Sequence, residues 1–197
     1  MALSNLILIK KKAVVSKFEF KKMFSRQVNG LVKQGDELFL RGKKVATSPM
    51  KEAVQAFLSV LRCVGGNEKV VLVAHNAFSF DANFVLKLVA SVGMLAELSA
   101  VVLGFSDTLP LFREQLPQRV ERRQPFSLEA LAKDFLEEEF NLHEAVEDVS
   151  VLEKLIERVK LAPEHIVEAV KPLHKFRAFK ANGGQDPASR VQSLEVD

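Results

Sequence analysis

The chain has 197 residues, 48% hydrophobic and 27% charged, which suits one domain with a sizeable core and excludes a fibrous or low-complexity protein. A single cysteine, Cys63, excludes an internal disulfide; with no secretory pattern, that suits an intracellular, reducing compartment, nucleus or cytoplasm. The net charge of +3 conceals an asymmetry, because residues 1–51 carry 12 Lys and Arg against 3 acids, while the remainder holds 16 basic and 22 acidic residues. A basic N-terminal third suits contact with a polyanion, although dispersed lysines also serve simply as a solvated face.

In chain order, "MALSNLILIKKK" comes first. Its apolar run is too short to span a bilayer, and its charge follows the run, the wrong order for a signal peptide. Residues 1–11 read as an N-terminal extension or a substitute strand. No other segment is long and apolar enough to be transmembrane, so no membrane partner is expected. "KAVVSKFEF" alternates loosely as a strand, and "ELFLRGKKVAT" reads as a hairpin turning at Gly42. In "TSPMKEAVQAFLSVLRCVGG" Ser48 is placed to cap a helix, Pro49 to open it and Gly65-Gly66 to end it. Cys63 reads as a buried thiol.

"KVVLVAH" is a short β-branched run, the pattern of a strand buried on both faces. "DANFVLKLVASVGM" has helical spacing, and "SAVVLGFSDTLPLF" reads as a strand with a turn. "FSLEALAKDFLEEEF", capped by Ser127, is an amphipathic helix; "HEAVEDVSVLEKLIERVK" is another, and "APEHIVEAVKPLHKF", opened by Pro163, a third. Strands alternating with helices give an α/β class. The main domain spans 12–176 and a disordered tail 177–197, with no repeat and no second domain.

Two carboxylates carry the chemical interest. Asp81 follows the end of the expected central strand, where α/β sheets gather ligands. Asp148 lies about one turn into a helix, five residues after His143. Hard divalent cations take carboxylate oxygens, and a neutral histidine nearby can take a proton from water. The bland alternative is that each aspartate only complements a helix dipole. His75 can likewise be a hydrogen-bonding turn residue and Asn76 a strand-end cap. Phe78 and Phe80 read as core, since stacking platforms need exposed aromatics.

At this point a resemblance enters. "HNAFSFD" resembles the second motif of the DEDDh 3′→5′ exonucleases, in which a strand ends in His-Asn-small and a metal-binding Asp follows. "HEAVEDV" is similar to their third motif, His-x-Ala-x-x-Asp. "DTLPLF" and "FSLEALAKDFL" resemble the connecting strand and helix, and "VNGLVKQGDELFL" with "EAVQAFLSVL" the segment leading into the second motif. The spacing is closest to the three-prime repair exonuclease branch and to the exonuclease-like domain of promyelocytic-leukaemia-like proteins, over roughly residues 12–160. The resemblance implies a ribonuclease-H-like layered fold with a central mixed sheet flanked by helices. It implies Asp81 and Asp148 as metal ligands and His143 as the base that deprotonates water. His75, Asn76 and Ala77 would shape the floor beside a 3′-terminal nucleotide; independently of the resemblance, the basic N-terminal third makes Lys10, Lys11 and Lys12 a candidate nucleic-acid-binding arm. The resemblance also implies two Mg²⁺ or Mn²⁺ ions about 3.5–4 Å apart, a DNA or RNA 3′ end as partner, and a nucleoside 5′-monophosphate as product.

The family's first motif, Asp-x-Glu on the opening strand, has no counterpart. The only acids in residues 1–50 are Glu19, Asp36 and Glu37. In "KFEF" Lys17 stands where the Asp belongs. Asp81 and Asp148 offer two negative charges against four positive ones on two ions. The fold is therefore expected to be N-terminally incomplete, with a sheet edge open to a protein partner or to self-association, or filled by "LSNLILI". Three functions remain open: a nuclease with residual metal-dependent activity, an inactive pseudo-exonuclease that binds nucleic acid or protein, and a plain α/β interaction module.

Overall fold

The computed structural model describes residues 6–8, 31–34, 37–40, 42–45, 48–136, 145–181 and 183. Its main sheet contains β1 (Leu6–Leu8), β5 (Val70–Ala74), β6 (Val102–Asp107) and β7 (Lys171–Pro172), in the order β1-β5-β6-β7. β1 and β6 run parallel to β5, and β7 runs antiparallel to β6, so the sheet is mixed. Leu6, Ile7 and Leu8 stand opposite Val71, Leu72 and Val73. A second, antiparallel sheet joins β2 (Leu31–Gln34), β3 (Glu37–Leu40) and β4 (Lys43–Val45). The expected hairpin turn lies between β3 and β4, where Gly42 takes φ +79°, and Lys44 pairs with Glu37 across the strands. The strand expected at 12–20 lies outside the described residues.

All five residues of β5 are buried, as a β-branched run covered on both faces requires. Their alternation divides the core. Val70 and Leu72 join a cluster with helices α1 (Met50–Gly65), α2 (Asp81–Ser91) and α3 (Leu95–Val101). Val71 and Val73 join a second cluster with α4 (Thr108–Gln115), α6 (Leu128–Phe135), α7 (Ala145–Arg158) and α8 (Pro163–Glu168). The chain is thus a mixed α/β protein with helices on both sides of its main sheet. Between α4 and α6 lies the short α5 (Pro117–Glu121), and a 3-10 turn (Leu173–Lys175) leads to α9 (Arg177–Ala181); its Ala178 and Phe179 are buried in the first cluster, so these residues belong to the packed domain and not to the disordered tail expected from 177.

Local sequence explains most elements. Val54, Leu58, Leu61 and Gly65 form the buried stripe of α1 at helical spacing. Each fully buried leucine in such a stripe contributes about 1.5–3 kcal/mol. Gly66 ends the helix at φ +57° and donates its N–H to the Arg62 carbonyl. At the start the expectation is off by one residue: Pro49 occupies the cap position, Met50 begins the helix, and no side chain caps it. Ser127 does cap α6, its hydroxyl accepting from the Ala130 amide at 3.2 Å.

Two segments depart from expectation. The stretch read as a strand with a turn is helix–strand–helix. Leu95 and Leu98 of α3 are buried, and Asp107 caps α4 by accepting from the Leu109 amide. Pro110 sits in the first turn of α4, where a missing N–H costs nothing. The last expected helix is also cut short: α8 ends at Glu168, and Lys171–Pro172 becomes a sheet edge, a position that tolerates proline. Cys63, expected inside, is exposed on α1 beside Val60 and Val64. No helix among the described residues is long and apolar enough to cross a membrane.

β7 depends on a glycine. A Cβ at Gly104 would lie 2.3 Å from the Lys171 carbonyl oxygen and 2.8 Å from a Val170 methyl group. Gly104→Ala should therefore lower stability by about 1–3 kcal/mol and expose the Lys171 region to amide exchange. Urea denaturation with hydrogen exchange checks this; wild-type stability would show that β7 yields without cost.

Candidate functional site

β5 and β6 end together, with Ala74 paired to Asp107. The carboxyl edge of two parallel strands is where α/β proteins place ligands. Here the chain leaves β5 into a turn of residues 75–80 and leaves β6 directly into α4.

His75 is half-buried, with both ring nitrogens beside protein oxygens. Nε2 lies 2.7 Å from the Phe126 carbonyl and Nδ1 3.0 Å from the Thr108 hydroxyl. A carbonyl only accepts, so Nε2 carries a hydrogen; in the neutral ring Nδ1 then accepts from Thr108. Asn76 sits at φ +60°, a left-handed conformation that asparagine tolerates better than most residues. Its carbonyl accepts from the Ser79 and Phe80 amides, both at 3.3 Å. Ala77 is fully buried, and its carbonyl accepts from the Ala82 amide at 2.9 Å. Asn83 reaches back to donate to the Phe78 carbonyl at 2.9 Å.

The two phenylalanines of the turn differ. Phe78 packs against the first core cluster, edge-on to Phe176 at 5.9 Å, with the Lys171 ammonium 5.4 Å from its ring centre. Phe80 is 62% exposed, which corrects the expectation that both rings are core. A turn that anchors Asn76, Ala77 and Phe78 inward leaves Phe80 pointing to water. Asp81, half-buried, is the next residue and opens α2.

Asp148 is half-buried in the fourth position of α7, next to buried Val149. α2 packs on one face of the main sheet and α7 on the other, so the two aspartates stand on helices of opposite layers. Among the described residues no group of three or more His, Cys, Asp or Glu side chains is placed to hold a metal ion. His143, Lys10, Lys11 and Lys12 lie outside the described residues.

Sequence reasoning missed Asp107, Thr108 and Arg119. Asp107 is 3% exposed; one carboxylate oxygen accepts from the Leu109 amide at 2.9 Å and the other from the Phe78 amide at 3.1 Å. The signal was present, because Asp-Thr-x-Pro after an apolar run is a helix-start pattern. Arg119 is 5% exposed and carries no sequence signal, since its burial depends on Pro125, Phe126, Asp134 and Phe135. No protein-family model matches the chain, and no curated protein sequence is significantly similar to it.

Asp107→Asn should cost about 1–3 kcal/mol, because an amide nitrogen would replace one of the two acceptors and face a backbone N–H. The Phe78 and Leu109 amides should exchange faster. Unchanged denaturation and exchange would show that the carboxylate does not organise the turn.

Proposed function

We propose that this chain is a nucleic-acid-binding domain on a ribonuclease-H-like frame of the 3′→5′ exonuclease type. It takes a single-stranded 3′ end at the carboxyl edge of its main sheet and hydrolyses it feebly or not at all. The observation that carries the reading is the turn of residues 75–80, which anchors its neighbours and presents Phe80, 62% exposed, immediately before Asp81. An exposed ring can stack on any base. Arg122 and Arg123 are exposed on the loop whose Phe126 carbonyl bonds His75, and they supply cations for phosphates.

The reading of feeble or absent hydrolysis rests on β1. It runs parallel beside β5, the neighbouring position an opening strand would fill, and reads Leu-Ile-Leu. An Asp-x-Glu pair belongs on such a strand, and residues 1–50 contain no such pair. Glu37 is engaged with Lys44 in the second sheet. Asp81 and Asp148 alone leave two ions half-neutralised, so the described residues do not fit a two-ion centre. Residual metal-dependent hydrolysis is the second reading, favoured by the spacing of His143 and Asp148.

The deciding experiment has two arms. Fluorescence anisotropy with short single-stranded DNA and RNA, across a salt series, should show binding whose log affinity falls linearly with log salt. Digestion of the same 5′-labelled strands with Mg²⁺ or Mn²⁺, beside Asp148→Ala, should give little or no ladder. A 3′-shortening ladder lost in Asp148→Ala would establish the second reading instead. Absence of binding at low salt would leave only a protein-interaction module.

Phe80→Ala should weaken binding by about 1–3 kcal/mol without changing the salt slope. Arg122→Gln with Arg123→Gln should reduce that slope by about 0.7 for each phosphate no longer neutralised. The opposite assignment, with Phe80 silent and the slope unchanged, would move the binding surface elsewhere.

A further inference from the structure

Three arginines fall within five residues: Arg119 in α5, and Arg122 and Arg123 at the start of the segment that joins α5 to α6. Two are exposed; Arg119 is inside. A buried arginine needs partners for its donors, and those of Arg119 come mainly from the returning limb of the same loop. Its Nε and Nη2 donate to the Pro125 carbonyl at 2.9 and 2.7 Å, and its Nη1 donates to the Asp134 carboxylate. Its guanidinium lies 5.6 Å from the Phe126 ring centre and 5.8 Å from that of Phe135. The Arg119 carbonyl accepts from the Gln124 amide at 3.0 Å. The turn carrying the two exposed arginines is therefore closed by Arg119 through both its backbone and its side chain. Arg123 takes φ +51°, a conformation that a bulky residue keeps only where its surroundings hold it.

The next step of the chain reaches the site. Arg119 grips the carbonyl of Pro125; the carbonyl of Phe126, one residue on, accepts from His75 Nε2 at 2.7 Å. His75 is also held by Thr108 and lies with its ring centre 5.8 Å from that of Phe112. A shift of the loop limb would move that acceptor, and with it the imidazole that begins the turn of residues 75–80.

We propose that Arg119 is a positioning residue that keeps the Arg122–Arg123 turn and the His75 turn in one register. A strand whose phosphates lie on the two exposed guanidinium groups is thereby delivered with its 3′ end at Phe80. This rests on the nucleic-acid-binding reading above. Lysine at position 119 would keep the charge but lose the planar fork that spans Pro125 and Asp134.

The test uses the full chain as wild type, as Arg119→Lys and as the double variant Arg122→Gln/Arg123→Gln, each checked for folding by thermal denaturation. Two quantities are read: affinity for a fluorescein-labelled single-stranded DNA, and the NMR resonances of the His75 ring nitrogens. In Arg119→Lys the His75 resonances should move away from the Nε2-protonated pattern. Affinity should fall about as far as in the double variant, although net charge is unchanged. In the double variant affinity and salt slope should fall while the His75 resonances stay in place. A folded Arg119→Lys protein with wild-type His75 resonances, or with wild-type affinity, overturns the proposal. If the wild type binds no oligonucleotide at low salt, the nucleic-acid reading fails, and the His75 resonances alone decide whether Arg119 sets the turn. If Arg119→Lys does not fold, Asp134→Asn replaces it, since that carboxylate is half-exposed. It should displace the same resonances by a smaller amount, and their immobility would overturn the proposal.

Discussion

The carboxylate of Asp107 is the constraint from which the carboxyl edge of the sheet follows. Two parallel strands end side by side there, and each must release its chain into a new direction. Backbone amides freed at such a point are costly when buried without partners. Asp107 accepts one amide from the helix that follows its own strand and one from the turn that follows the neighbouring strand. The adjacent Thr108 then meets His75. With Phe78 held at its amide and Ala77 buried, the remaining residues of the turn have nowhere to go but outward. Phe80 and Asp81 are placed by that exclusion.

The same edge is the ground on which binding, rather than hydrolysis, is proposed. The helix bearing Asp81 covers one face of the main sheet and the helix bearing Asp148 the other. A metal centre spanning such layers draws its remaining ligands from the sheet between them. β5 is wholly apolar, and β1 beside it contributes Leu-Ile-Leu. Hydrophobic substitution of a strand preserves the packing that holds a fold together, while removing the charge that hard cations require. At the carboxyl edge of this sheet stand an exposed ring, a fixed turn and the guanidinium groups of the loop that holds His75.

Much of this was legible in the chain. Helical stripes such as Val54, Leu58 and Leu61, the β-branched run of β5, the Ser127 cap and the Gly42 turn are local signals, because each element depends on residues within a few positions. The failures share a cause. Residues 95–101 form a helix because Leu95 and Leu98 find a core, and the segment after Glu168 becomes a strand because Gly104 lets Lys171 approach. Phe78 and Phe80, two residues apart, look equivalent in sequence; only the inward anchoring of the turn separates a core ring from an exposed one.

The sequence by itself determined the class of fold, the central position of β5, the clustering of polar residues after it and the absence of an Asp-x-Glu pair. All of these are properties of composition, period or presence. Tertiary structure alone decided that β1 lies beside β5, that Asp107 ties the start of α4 to the turn after β5, and that Arg119 is inside. It also decided that His75 spends its ring nitrogens on protein oxygens. Each of these last facts depends on atoms from distant segments arriving within hydrogen-bond distance, and a hydrogen bond has a steep dependence on distance and angle that no one-dimensional pattern encodes.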